Sequence, residues 1–259
     1  LSREEFFERL VETDELPRTS QIPPMVFQDL FQEAVDAGNE VVCITLSSHI
    51  SGTYQSACIA AAPFKESVFV VDSENATIGE RILAERAWAL RDEGLSAADI
   101  AYCLNQEKKD IRLVASLDTL EYLRRGGRIP ASVAVAGAAL DVKPLLVIAE
   151  DGTLSLVGVA RGRKKGIKQL AEYYNKRKAD SRPGRCVVIG NADCPKDAAR
   201  LQEALGKGDD SILFLESSIG PVIGSHVGPD MIAVVFWGND KREELSVADR
   251  IAKKVKGGE

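Results

Sequence analysis

Four stretches of this sequence hold side chains able to do chemistry. The first is Ser51-Gly52-Thr53, which follows an apolar run and precedes a helical pattern. A helix opening there would aim free N–H groups and its positive dipole end at an anion. Ser51 and Thr53 supply hydroxyl donors, and Gly52 lets a ligand come close to the backbone. The competing reading is a plain N-cap serine followed by a turn glycine. The second stretch is Gly220-Pro221-Val222-Ile223-Gly224-Ser225-His226-Val227-Gly228-Pro229. Its glycines and prolines read as a rigid loop between two strands. His226 is suited there to donate to an anion or act as a general base, although a lone histidine also serves structural ends.

The third stretch, Arg161-Gly162-Arg163-Lys164-Lys165, places four cations at the start of a helical pattern. Cations at a helix N-terminus oppose the dipole, which points to an anionic user such as a phosphate or acidic partner. A solvated charged face is the alternative. The fourth, Leu120-Glu121-Tyr122-Leu123-Arg124-Arg125-Gly126-Gly127-Arg128, reads as a short helix ended by a glycine pair. No segment fits a dinucleotide fingerprint, a Walker phosphate loop or a Gly-x-Ser-x-Gly elbow.

The elements that position these residues follow from periodicity. Ser2-Arg3-Glu4-Glu5 is a capping box opening a helix with Phe6, Phe7 and Leu10 on its apolar face. Pro17 to Pro24 excludes helix, and a helix then runs to Gly38. Val41 to Leu46 is an unbroken apolar run, read as a strand buried on both faces. The small-residue helix Ser56 to Ala62, strand Val68 to Val71 and helix Ala76 to Arg91 complete a βαβα alternation, which implies a parallel sheet. The second half mixes hairpins with helices. Residues 144–160 read as two strands around a type I′ turn at Asp151-Gly152. Residues 131–140 form a helix of mainly Ala, Val and Gly, whose small side chains leave room for a ligand tail or for tight helix packing. The expected architecture is α/β: residues 1–110 as a parallel α/β/α domain, 111–238 as a mixed α+β domain, and 239–259 as a charged tail.

Composition limits the functions. A net charge of −6 over 259 residues lacks the basic face of a general nucleic-acid binder. No apolar run reaches the roughly 20 residues of a membrane span, and no signal-peptide pattern opens the chain, so a cytoplasmic protein is expected. Five scattered cysteines and two histidines form no metal-ligand spacing, which leaves reduced, buried thiols as the expectation.

Several of these segments, in order, resemble the DegV family. They are Pro17-Arg18-Thr19-Ser20-Gln21, Leu46-Ser47-Ser48, Ser51-Gly52-Thr53-Tyr54-Gln55-Ser56-Ala57, Thr119 to Arg128, Arg161 to Lys165 and Ile219 to Pro229. The resemblance implies a two-domain fold holding a fatty acid, with the carboxylate on residues matching Thr19, Ser51 and His226. Gly52 and Thr53 belong to the same motif. It also implies a FakB-like role: the lipid-carrying subunit of a bacterial fatty-acid kinase, presenting its acid to a separate ATP-binding subunit that forms an acyl phosphate. The segment around Arg161 is implied near the phosphorylated end or the partner. Three departures stand out. The family's first strand and Asp-Ser loop do not precede the capped helix, Ile22 replaces a frequent proline, and Asp230, expected to point outward, stands where glycine is common.

The reading is therefore a long-chain fatty-acid carrier with no catalytic residues, metal or cofactor of its own. Two alternatives come from other classes. One is a lipid hydrolase or acyltransferase with Ser51 as nucleophile and His226 as base. The other is a lipid-sensing interaction protein that its ligand merely stabilises.

Overall fold

The structure is a computed structural model that describes residues 1–134, 141–179, 186–207 and 211–238. The chain opens on α1 (Arg3–Glu12), whose Ser2/Glu5 capping box satisfies two otherwise orphaned N–H groups. After an extended segment come α2 (Pro24–Asp36), β1 (Val41–Thr45), α3 (Thr53–Ala61), β2 (Val68–Asp72), α4 (Ile78–Asp92) and α5 (Ala97–Glu107). The second half continues with β3 (Ile111–Ser116), α6 (Glu121–Arg125), α7 (Ala131–Ala134), β4 (Val142–Ile148), β5 (Leu154–Arg161) and α8 (Arg163–Arg177). It ends with β6 (Cys186–Asn191), α9 (Pro195–Gly206), β7 (Leu213–Ser218), α10 (Pro221–Val227) and β8 (Ile232–Trp237).

Two sheets form. β1 and β2 pair in parallel, as the alternation of strands and helices requires. The other six strands make a mixed sheet in the order β5-β4-β3-β8-β6-β7, in which only β6 and β7 are parallel. Successive residues of its central strands supply two different cores. Ile232, Val234 and Phe236 face α8 and α9 through Leu170, Tyr174 and Leu201. Ala233 and Val235 face the opposite layer, where Ile78, Ile82 and Leu83 of α4 lie. That two-residue period is what a sheet covered on both sides demands. α4 packs against β1 as well as β3, β6 and β8, and so joins the two sheets. A smaller core of Phe27, Phe31, Ala57 and Ala60 backs β1 and β2.

Several expectations change. Val41 to Thr45 is only partly buried, apart from Thr45, because among the described residues β1 pairs with β2 alone. The Asp151-Gly152 turn is not type I′, since only Gly152 takes positive φ. Instead Gly152 N–H donates to Ala149 O and Ala149 N–H to Thr153 O, a three-residue loop. Asp151 Oδ1 accepts from the Thr153 N–H and hydroxyl, which ties the aspartate into that loop. The broken alternation of β5 has its cause in a bulge opposite Leu145/Leu146. Residues 220–229 are not a loop. Pro221 sits in the first turn of a helix, where its missing N–H costs nothing, and Gly228 at φ +74° ends it. Asp230 takes φ +61°, which explains glycine's suitability there, and its side chain is exposed. Of the small-residue helix, only Ala131–Ala134 is described; residues 135–140 and the tail from 239 lie outside the described residues.

Gly228 has two reasons to be glycine. Besides its φ, a Cβ would meet Tyr122 Cδ2 at 2.4 Å. Gly228→Ala is expected to lower unfolding free energy by about 1–3 kcal/mol. Urea denaturation reads this directly, and unchanged stability would show that the close packing is not required.

Candidate functional site

The site begins where β1 runs out. Ser47 is fully buried; its hydroxyl donates to Gly152 O and its N–H to Asn75 O. Ser51 N–H then returns to Ser47 O, so the chain turns tightly into α3. Ser51 Oγ accepts the Thr53 N–H at 3.3 Å and shares a hydrogen bond with Thr53 Oγ1 at 2.9 Å. The first turn of α3 thus presents two hydroxyls and its dipole to the space above the strand end.

Gly52 serves a different purpose from the one expected. A Cβ there would lie 1.9 Å from Gln21 Oε1, so its bareness admits the Gln21 carboxamide. Gln21 Nε2 donates to Ser56 Oγ at 3.0 Å and pins the Thr19-Ser20-Gln21 segment onto α3. Two segments far apart in sequence are therefore a single unit. Thr19, half-buried at the start of its segment, bonds through Oγ1 to His226 Nε2 at 2.7 Å.

His226 comes from α10. A Cβ on Gly126 would approach its Nδ1 to 2.3 Å, so the glycine pair after α6 makes room for the imidazole as well as ending a helix. Nδ1 is buried with no hydrogen-bond partner. Burial first, and Arg128 second, hold the imidazole below its usual pKa of 6.5, so the ring is neutral at neutral pH. One nitrogen then donates and the other accepts.

Arg128 was not singled out as a ligand-binding candidate. Its Nε donates to Ile50 O and its Nη1 to Gly126 O, which fixes the guanidinium beside His226. The hints in the sequence were its place after a glycine pair, near two other arginines that face elsewhere, and at the end of a segment shared with the DegV family. Arg124 pairs with Glu121, and Arg125 bonds the Asp14 carbonyl.

These residues line two cavities that meet. One, of about 330 Å³, is walled by Thr19, Ser51, Thr53, Glu80, Arg128 and His226 on its polar side. The other is narrow, about 70 Å³, and mainly apolar, with Leu113, Ala115, Leu146, Met231 and Ala233 among its walls. Ile50, Arg128, Ile223 and His226 belong to both. The apolar walls come largely from β3, β4 and β8; Ala131, Ser132 and Val133 are not among them, and the rest of the small-residue segment expected to make room for a tail lies outside the described residues.

Thr19, Ser51, Thr53 and His226 are thus brought together, with Gly52 beneath them. Arg161 is not. It ends β5, exposed, and lines neither cavity. Its neighbour Arg163 is bound to Asp197 and the Asp230 carbonyl, while Lys164 and Lys165 face solvent. A serine–histidine pair is not assembled either. Ser51 Oγ is engaged with Thr53, no hydrogen bond joins it to His226, and no side chain orients Nδ1. Among the described residues no three His, Cys, Asp or Glu side chains group as a metal site, and no helix is long and apolar enough to cross a membrane.

The DegV family model, described as "Uncharacterised protein, DegV family", matches residues 1–239. The chain belongs to the DegV family. A DegV domain-containing protein of Caldanaerobacter subterraneus is 33% identical over 237 residues, 91% of this chain and 84% of that one. Among solved structures, a fatty-acid-binding DegV family protein of Thermus thermophilus shares 32% identity. It covers 92% of this chain and 85% of its own, with a TM-score of 0.83. The Fatty Acid Kinase (Fak) B3 protein of Streptococcus pneumoniae, solved with linoleic acid, covers 92% and 84% with a TM-score of 0.81. At 19% identity it attests the DegV fold alone.

The histidine environment yields a measurable expectation. In an NMR titration the His226 imidazole protonates only below pH 6.5, the ordinary value. Because the fold prefers the neutral ring, its contribution to stability is complete above that pH and declines as pH falls through the folded midpoint. A midpoint at or above 6.5 would contradict the burial described.

Proposed function

We propose that this DegV protein binds one long-chain fatty acid, with its carboxylate in the polar cavity and its chain entering the apolar one. The observation that carries this is the junction of the two cavities at His226 and Arg128. An amphiphile with one anionic end and a long apolar tail matches that pairing. The Thr19–His226 and Ser51–Thr53 pairs each keep one hydrogen for the ligand after bonding internally, and Arg128 supplies the positive charge. A hydrogen bond to a charged group contributes about 1.5–3 kcal/mol. Each buried methylene contributes about 0.8 kcal/mol, so beyond a few carbons the tail dominates. The narrow cavity admits a long tail only as its side chains rotate apart, which tempers that gain. The likeness to the Thermus thermophilus protein supports the same ligand class.

Mass spectrometry of organic extracts from the purified protein should find a stoichiometric fatty acid. Its absence, with no binding of added acid, would sink the proposal. Ser51→Ala should weaken binding by roughly tenfold, the loss of one charge-assisted hydrogen bond. Ala233→Leu, which fills the apolar cavity, should weaken long acids more than short ones. Equal losses across chain lengths would place the tail elsewhere.

The finer reading is that the bound acid is presented to a separate ATP-binding subunit for acyl-phosphate formation. It rests on the family resemblance, and on a chain without a Walker loop to hold ATP itself. Exposed Arg161, Lys164 and Lys165 then belong to the partner's side of the molecule rather than to the carboxylate. Arg161→Ala should keep fatty-acid affinity and reduce acyl-phosphate formation with an added kinase subunit. Undiminished formation would remove Arg161 from that role.

A further inference from the structure

The polar cavity contains one acid among its donors. Glu80, in the first turn of α4, lines it with Thr19, Ser51, Thr53, Arg128 and His226. A capping box holds the side chain in place: Thr77 N–H donates to Glu80 Oε2 at 2.7 Å. Thr77 itself sits at φ +49°, an unusual conformation for a β-branched residue, so this corner of the fold is tightly determined.

Among the described residues no cation pairs with Glu80. Burial and the Thr77 amide are the influences on its carboxyl, and no positive group adds to them. The next residue, Arg81, turns away to the Glu216 carbonyl, the Ser217 hydroxyl and Glu85. Across the cavity, Arg128 is committed to two carbonyls, and His226 on α10 is neutral. Adding a ligand carboxylate to an ionised Glu80 would put two negative charges in one cavity against Arg128 alone. Such pairs do not both ionise; one retains a proton and donates it to the other.

On the fatty-acid reading above, we propose that Glu80 is a further ligand-binding residue. As the carboxylate enters, Glu80 takes a proton from solvent and returns it as an O–H···O hydrogen bond to the bound anion. One O–H bond forms on Glu80 as one breaks in the buffer acid or hydronium that gives the proton, and the complex gains one proton relative to the separated ionised partners. Burial raises Glu80 to about 7. Ligand charge raises it further. Affinity is therefore level just below that pH and falls about tenfold per pH unit above it, until the bound pair itself deprotonates. Neither His226, already neutral there, nor Arg128, charged throughout, produces that slope.

Glu80→Gln separates this role from helix capping, because the amide oxygen still accepts the Thr77 N–H while the ionisable group is gone. Isothermal titration calorimetry would follow monomeric dodecanoate binding to the whole chain from about pH 6 to about pH 9. Pairs of buffers with different ionisation enthalpies count protons in the wild type without relying on any variant. Uptake approaching one proton per ligand above neutrality, with the tenfold slope, is expected. Glu80→Gln should bind with neither. A flat wild-type profile, or the same slope in Glu80→Gln, overturns the role of Glu80 and leaves the fatty-acid reading standing. No dodecanoate binding to either protein at any pH would overturn both.

Discussion

The bond between Thr19 Oγ1 and His226 Nε2 joins side chains 207 residues apart and ties the Thr19–Gln21 segment to α10 across the polar cavity. Each partner is delivered by a separate device that depends on a missing Cβ. Gln21 packs on bare Gly52 and bonds Ser56, which brings Thr19 to the mouth of α3. The imidazole occupies space left by Gly126, which brings α10 against the turn after α6. A side chain at Gly126 would collide with the imidazole itself, and one at Gly52 would displace the Gln21 carboxamide from its seat on α3.

Electrostatics then follow from burial. A neutral histidine, hydroxyls and a helix N-terminus form a site that is rich in donors yet carries a single firm positive charge, Arg128. Low solvation strengthens each of those donors toward an anion and penalises any second negative charge. The same dryness extends behind His226 into walls of Leu, Ala and Met, where nothing polar competes for a hydrocarbon. Polar and apolar spaces meeting at His226 and Arg128 make the arrangement selective for an amphiphile over a simple anion, which would leave the apolar space unused.

Much of the scaffold was legible in the linear chain. The capping box at Ser2, the parallel β1–β2 pair, the hairpin near residue 151 and the helix after Gly162 were all visible because local sequence decides them. Errors arose where local signals are degenerate. Glycine and proline at 220–229 suit a rigid loop and a short capped helix equally, and only packing of Phe6 and Phe7 against Gly224 accompanies the latter. Asp151-Gly152 suits two turn types, and the Thr153 contacts accompany the one adopted.

Sequence alone determined which residue types could meet an anion: hydroxyls at a strand end, a histidine among glycines, and clustered arginines. It also determined the family, through motifs that keep their order along the chain. Tertiary structure decided which of them share a cavity. It gathered Thr19, Ser51, Thr53 and His226, substituted Arg128 for Arg161 as the nearby cation, and added Glu80, which reads along the chain as nothing more than the third residue of a helix. The reason is physical. Periodicity and capping report interactions within a few residues, whereas a binding site is defined by side chains converging from separate elements, and that convergence is set by core packing.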